Sequence, residues 1–185
     1  MSPKNPDKIS EIEAVLQAAG LGIEIVRGLD WPDVEETGAT LEENAALKAN
    51  AVRTITGLAA VADDTGLEVV ALGGAPGVLT ARFASPTASY EDNVARLLAD
   101  LEGIKDRRAT FRTVVVLASP QGREVMAEGR LEGTIVHAPR GDFGFGYDPV
   151  FEVSGRTLGE MTTAEKNQLS HRARALQSLT RKLGS

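Results

Sequence analysis

The residues best equipped for chemistry in this chain are carboxylates. Asp63 and Asp64 follow the small, apolar run Leu58-Ala59-Ala60-Val61-Ala62 and precede Thr65 and Gly66. An apolar run of that length, bounded by turn signals, suits a buried strand. A glycine after the acids can bend the backbone where the strand ends. Two acids at the end of a core strand repel each other unless something positive lies between them, and a divalent cation held by oxygen ligands is the usual solution. The same four residues read equally well as a plain turn, because Asp, Thr and Gly all favour turns. Glu35 and Glu36 form a second acidic pair, in a loop spanning 29–39 with Trp31, Pro32 and Asp33. Asn44 and Lys48 are four apart, so on a helix they share a face; otherwise Lys48 is one more solvated lysine. The stretch Pro139-Arg140-Gly141-Asp142-Phe143-Gly144-Phe145-Gly146-Tyr147-Asp148-Pro149 carries three of the eight aromatics (five Phe, two Tyr, one Trp). Such a loop can lay a ring against a planar ligand while its glycines let the backbone approach. It can also be a tight interstrand connection whose rings belong to the core.

Alternating helical and extended patterns must position these groups. Asn5-Pro6-Asp7 opens a helix as cap, proline and first-turn acid. Ile9, Ile12, Val15, Leu16 and Ala19 give it an apolar face, and Gly20 ends it. Ile23 to Val26 reads as a short strand. Thr40-Leu41-Glu42-Glu43 has capping-box spacing and predicts a helix to about residue 55, with Gly57 after it. Strands are expected at 58–62 and 67–71, on either side of the Asp pair. Gly73-Gly74-Ala75-Pro76-Gly77 reads as a mobile loop or lid. Ser89 can cap a helix carrying Val94, Leu97, Leu98 and Leu101, stopped by Gly103. Ala109 to Ala118 is β-prone, and Pro120-Gln121-Gly122 turns it into Glu124–Glu128, a hairpin signal; Leu131 to Val136 stays extended. Thr162 to Glu165 is another capping-box spacing. Ser170-His171-Arg172 starts a last helix whose Leu176, Leu179 and Leu183 face the core.

Composition narrows the class. A chain of 185 residues, 42% hydrophobic and 25% charged, suits one soluble globular domain. With no cysteine, disulfides and thiolate zinc sites are excluded. No apolar run approaches the ~18 residues of a membrane span. No signal peptide precedes the first helix, so the cytoplasm is the expected compartment. A net charge of −6 argues against binding a nucleic-acid polymer but leaves room for a small anion in a local basic pocket.

Taken together and in order, the motifs resemble those of the inosine triphosphate pyrophosphatases, also called XTP/dITP diphosphatases. The matching pieces are Glu35-Glu36-Thr37-Gly38, Glu43-Asn44-Ala45 with Lys48, Ala62-Asp63-Asp64-Thr65-Gly66-Leu67, Gly73-Gly74-Ala75-Pro76-Gly77, Pro139-Arg140-Gly141, Phe145-Gly146-Tyr147-Asp148-Pro149, Ala164-Glu165-Lys166 and Ser170-His171-Arg172. They span the chain from about residue 5 to the last helix; singly each is weak, and their order makes the match specific.

The resemblance implies a single α/β pyrophosphatase domain over 1–185. It implies a long mixed central sheet flanked by helices, and two lobes with a cleft between them. It implies a homodimer that hydrolyses ITP, dITP and XTP to the monophosphate and pyrophosphate with Mg²⁺. By position, Asp64 resembles the proton acceptor and a metal ligand, and Glu35 the other metal-binding acid. Asn5, Lys8, Lys48, Thr65, Phe145, Gly146, Tyr147, Asp148, Lys166, His171 and Arg172 resemble substrate-binding positions. Glu36, Asp63 and Glu43 would support the metal from behind its ligands or only cap and turn the chain, with Asp63 favoured for the supporting role.

That chemistry is coherent. Splitting a triphosphate needs charge neutralisation and an in-line water. Lys8 and Lys48 supply positive charge to the phosphates, and the Asn5 cap adds a helix N-terminus. Hypoxanthine and xanthine present a 6-keto acceptor where adenine presents a 6-amino donor. A donor such as the Arg172 guanidinium therefore welcomes the first and repels the second. Phe145 or Tyr147 can stack on the purine.

Two departures stand out. Family members begin with an apolar strand ending two residues before the motif Asn, whereas Met1-Ser2-Pro3-Lys4 is short and polar, so the first strand is expected to be absent or truncated. The family's usual Tyr-Ser after Pro-Gly is Leu79-Thr80 here. Two alternatives stay open: a form that binds nucleotides without turnover, and a related pyrophosphatase for other modified nucleotides.

Overall fold

The computed structural model describes residues 12–13, 15–17, 24–26 and 28–184. The expected N-terminal cap, with Asn5 and Lys8, and the question of a first strand lie outside the described residues. Residues 12–13 and 15–17 are helical, and Ile12 and Val15 pack on a core cluster as their spacing predicts. Residues 24–26 belong to no strand; Val26 is 53% exposed, so this short run lacks a buried face to anchor it.

Helix α1 (Leu41–Thr56) starts at Thr40, whose hydroxyl accepts from the Glu43 N–H, and ends at Gly57 in the left-handed conformation. Strand β1 (Ala60–Val69) follows. It corrects the expectation of two strands around an acidic turn: Asp63-Asp64-Thr65-Gly66 lies inside one continuous ten-residue strand. The physical reason is that each acid finds a cation on its own side of the strand, so the chain has no need to turn there.

Gly73-Gly74-Ala75-Pro76-Gly77 is likewise not a loose lid. Val69 N–H donates to Ala75 O (3.1 Å) and Gly74 N–H to Val69 O (3.0 Å), and strand β2 (Pro76–Gly77) pairs antiparallel with Leu67 and Glu68. Positive φ at Gly73, Gly74 and Gly77 makes this reversal possible.

Helix α2 (Tyr90–Asp100) has a complete Ser89–Asp92 capping box. Strands β3 (Arg108–Ala118) and β4 (Glu124–Ile135) form the expected hairpin, closed by Gly122 N–H on Ser119 O. Strands β5 (Phe151–Val153) and β6 (Arg156–Thr157) complete a six-stranded sheet in the order β2-β1-β3-β4-β5-β6. The β1–β2, β4–β5 and β5–β6 pairs are antiparallel. Helices α3 (Thr163–Leu169) and α4 (His171–Leu183) end the chain. The outcome is the α/β class expected, a central sheet with flanking helices.

The chain divides into two compact units, each assembled from separated segments. The first comprises residues 1–64, 113–129 and 171–185. Its core packs Val115, Ala127, Ala175, Leu176 and Leu179, with Val61, Leu117 and Val125 against them. All the strand positions in that cluster have odd numbers. Successive strand side chains alternate between faces, so this parity marks the sheet face that α4 covers. The second unit comprises 65–112 and 130–170. Its core includes Leu67, Leu97, Leu101, Phe111, Tyr147, Val150, Phe151 and Leu158. Buried Arg107 clamps the end of α2 to the end of β4, donating to Leu101 O (2.7 Å), Ile135 O (2.7 Å) and Val136 O (3.0 Å).

In the first unit, Gly129 is what lets α4 sit on β4. A Cβ there would lie 2.1 Å from His171 O and 2.3 Å from Ala175 N. Both are backbone atoms and cannot swing aside. Gly129→Ala is expected to cost about 3 kcal/mol, a fall of roughly 6–12 °C in melting temperature for a chain of this size. Differential scanning calorimetry checks it; an unchanged melt would show that α4 can lift without penalty.

Candidate active site

In the first unit the even face of β1 meets α1. Lys48 Nζ donates to Asp64 Oδ1 at 2.8 Å and to Glu36 Oε1 at 2.8 Å. One helical turn earlier, fully buried Asn44 donates through Nδ2 to Asp64 Oδ2 (3.3 Å) and accepts the Gly38 N–H on Oδ1 (2.8 Å). The shared face predicted for residues 44 and 48 is thus real, and Asn44 ties the 35–38 loop to the strand. Gly38 is required for that approach, since a Cβ would stand 2.7 Å from Asn44 Oδ1. Lys48 is therefore no solvated lysine.

The electrostatics are strongly coupled. Burial pushes the Asp64 carboxyl up, the Lys48 charge pulls it back, and the net result is a group above its ordinary value. Burial acts to lower the Lys48 ammonium, but the carboxylates of Asp64 and Glu36 outweigh it and hold the ammonium above its usual range.

The two glutamates have different surroundings. Glu36 makes the ion pair on Lys48, whereas Glu35 is exposed and its carbonyl accepts the Thr37 N–H. Asp63 faces the other way. It shares its parity with Val61, and its Oδ2 accepts from Arg172 Nε at 3.1 Å. Arg172 is 1% exposed and Asp63 9%. Beside Arg172 on the first turn of α4, His171 Nδ1 lies 2.6 Å from Thr113 Oγ1 of β3, both buried. The support of Asp64's metal expected of Asp63 is therefore corrected: the pleat places it on the opposite face, holding Arg172.

In the second unit, Asp148 organises the Gly/aromatic loop. Its Oδ2 accepts the Phe145 N–H (2.8 Å) and Lys166 Nζ (2.6 Å). Lys166 Nζ also stands 4.6 Å from the centre of the Phe145 ring, within cation–π range. The Tyr90 ring lies 6.2 Å from that of Phe145. Gly144 must lack a side chain, since its Cβ would meet Asp148 Oδ2 at 2.2 Å, and Gly146 has φ +64°. Tyr147, the other ring expected to be able to stack on the purine, turns inward. It is 3% exposed within the core, where its hydroxyl donates to Thr80 O (3.0 Å) and burial raises its pKa. Thr65, the residue after Asp64, is half-buried.

Sequence reasoning missed Thr113 and Tyr90, and noted Thr80 only as a departure from the family pattern. A threonine in a β-prone run carries no signal, and Tyr90 sits beyond the motif blocks.

Among the described residues no three His, Cys, Asp or Glu side chains gather as a ready-made metal cage. Magnesium rarely uses one: it keeps several waters and is held by one or two carboxylates plus substrate phosphates. Asp64, with Glu35 and Glu36 on the loop that Asn44 ties to the strand, supplies hard-oxygen carboxylates of the kind that requirement calls for.

The sequence pattern of the Ham1 family matches residues 2–182. The chain belongs to the Ham1 family. It is 46% identical over 187 residues to the dITP/XTP pyrophosphatase of Streptomyces coelicolor, covering 97% of this chain and 93% of that one. It is 50% identical over 181 residues to the dITP/XTP pyrophosphatase of Symbiobacterium thermophilum, covering 95% and 89%. Among solved structures, a HAM1 protein from Coxiella burnetii superposes with a TM-score of 0.84 at 36% identity, covering 98% of this chain and 95% of that one. A nucleoside-triphosphatase / dITP/XTP pyrophosphatase from Mycobacterium abscessus does so at 0.77 and 44%, covering 97% and 96%. No described helix is long and apolar enough to cross a membrane.

The Lys48–Asp64 pair makes a pH-dependent claim. If Asp64 is the proton acceptor that the resemblance implies, it must be ionised to act, and the Lys48 charge is the main restraint on the upward push of burial. Lys48→Met removes that restraint, so the acidic limb of the kcat/KM profile is expected to move to higher pH at fixed metal concentration. An acidic limb unmoved or shifted downward would show that Lys48 does not tune Asp64.

Proposed function

We propose that this nucleoside-triphosphate pyrophosphatase acts on the noncanonical purine nucleotides ITP, dITP and XTP. It releases the monophosphate and pyrophosphate and so cleanses the nucleotide pool. The observation that carries the reading is the Glu36–Lys48–Asp64–Asn44 constellation, with Asp64 and Asn44 buried and Lys48 and Glu36 half-buried. The names of the relatives support it.

Asp64 accepts the proton of the attacking water. A carboxyl lifted by burial is a better base than one in bulk water, and general-base catalysis improves as the pKa approaches the working pH. Asn44 fixes the orientation of that carboxylate. Lys48, held as a cation by its two acids, neutralises phosphate oxygens as charge develops on them. A Mg²⁺ held by Glu35 and Asp64, with Glu36 in a supporting role on Lys48, would supply further charge neutralisation and polarise water. Thr65 contacts the substrate next to Asp64, and Asn5 and Lys8 add phosphate contacts.

The base is bound by the Phe145 ring, the Gly146 backbone, Asp148 and Lys166, with His171 and Arg172 reading the 6-keto edge. A guanidinium donor faced with an adenine 6-amino group loses its partner, and unpaired buried donors give strong rejection. The whole chain works as one domain, as a cytoplasmic homodimer with no membrane or nucleic-acid polymer as partner.

A panel of ITP, dITP, XTP, ATP, GTP and modified pyrimidine triphosphates, assayed for pyrophosphate with and without Mg²⁺, tests this. Release from ITP or XTP is expected to exceed that from ATP by roughly 100-fold or more and to need the metal. Equal rates across the purines would remove the selectivity claim. Calorimetric binding of ITP without pyrophosphate release would mark a binding protein instead. A preference for pyrimidines would mark the related house-cleaning activity.

A further inference from the structure

We infer that Asp63 is a specificity-determining positioning residue: it holds the Arg172 guanidinium in the orientation that reads the base. The inference rests on the proposed role of Arg172, and it separates the two adjacent aspartates by function.

Asp63 and Asp64 are neighbours inside β1, and neighbours on a strand project to opposite faces. The contacts obey that rule. Asp64 meets Asn44 and Lys48 of α1, while Asp63 meets Arg172 of α4, in line with Val61 and the rest of the α4-facing cluster. Asp63 is therefore on the wrong side of the strand to steady a metal held by Asp64.

What it does contact is the most buried charged side chain among the described residues of the unit. Arg172 is 1% exposed, and a guanidinium withdrawn that far from water needs a carboxylate close by. The carboxylate engages the Nε edge at 3.1 Å. Because the guanidinium is planar, a partner on that edge fixes the direction in which the terminal N–H groups point. A donor whose direction is fixed discriminates; one that can swing adapts to the wrong base and loses selectivity. The backbone under Arg172 is equally constrained, since Gly129 lets the first turn of α4 lie directly on β4. Base reading by Arg172 is thus preorganised from below by Gly129 and from the side by Asp63.

The test compares Asp63→Asn, Arg172→Ala and the double variant with the parent enzyme, on ITP and ATP, across a Mg²⁺ titration. Asp63→Asn is expected to lower the ITP-over-ATP ratio of kcat/KM about tenfold, mostly through KM for ITP. The half-saturating Mg²⁺ concentration should not move. The double variant should be no less selective than Arg172→Ala alone, because both changes remove the same interaction. If Asp63→Asn does not fold, Asp63→Glu carries the comparison: it keeps the charge but displaces the guanidinium, and should lose part of the selectivity. Should Arg172→Ala keep full selectivity, the base-reading role of Arg172 itself falls, and this inference with it. Should Arg172→Ala lose selectivity while the Asp63 variant keeps it and shifts the Mg²⁺ dependence, Arg172 still reads the base, and Asp63 is a metal-supporting residue after all.

Discussion

The pleat of β1 is the constraint on which the first unit depends. It takes two adjacent acids that would repel each other on one surface and assigns them to opposite faces, each to its own cation. Asp64 goes to Lys48, and Asp63 to Arg172. The deeply buried Asp63–Arg172 pair cannot lose one member cheaply, since an uncompensated buried charge costs about 3–5 kcal/mol, whereas Lys48 keeps Glu36 as a partner when Asp64 is changed. The helices are placed accordingly. α1 must bring residues 44 and 48 to the even face, and α4 must bring its first turn to the odd face. Small residues make both approaches possible: Gly38 beneath Asn44, and Gly129 beneath His171.

The second unit solves a different problem with one carboxylate. Asp148 receives a backbone N–H from Phe145 and the ammonium of Lys166, which fixes both a ring and a cation with a single oxygen. Tyr147, on the same loop, turns inward and anchors it through Thr80. A loop of glycines and aromatics thereby becomes rigid, with one ring kept for the core and another left half-exposed beside Tyr90 and Lys166.

Much of this was legible in the sequence because it rests on local rules. The capping residues Thr40, Ser89 and Thr162 begin their helices as the spacing requires. The i, i+4 relation of Asn44 and Lys48 carried through to Asp64, and the turn at Gly122 joins β3 to β4. What failed was non-local. Turn propensity at Asp-Asp-Thr-Gly was overridden by cations that arrive from helices far along the chain. The Gly-Pro segment 73–77 gained a strand partner in Leu67 and Glu68 that its composition does not announce. Sequence order could not say which of Glu35 and Glu36 would turn toward Lys48, nor that Tyr147 would be core. Thr113 and Gly129 matter only because α4 lies against them.

The central claim is that Asp64 performs the chemistry and is a poor contributor to stability where it sits, since burial disfavours its charge. Asp64→Asn tests it most directly, with ITP turnover and the thermal melt measured on the same preparation. Turnover is expected to fall by roughly a thousandfold or more while the melting temperature holds or rises. Turnover near the parent level in a folded Asp64→Asn enzyme would contradict the account.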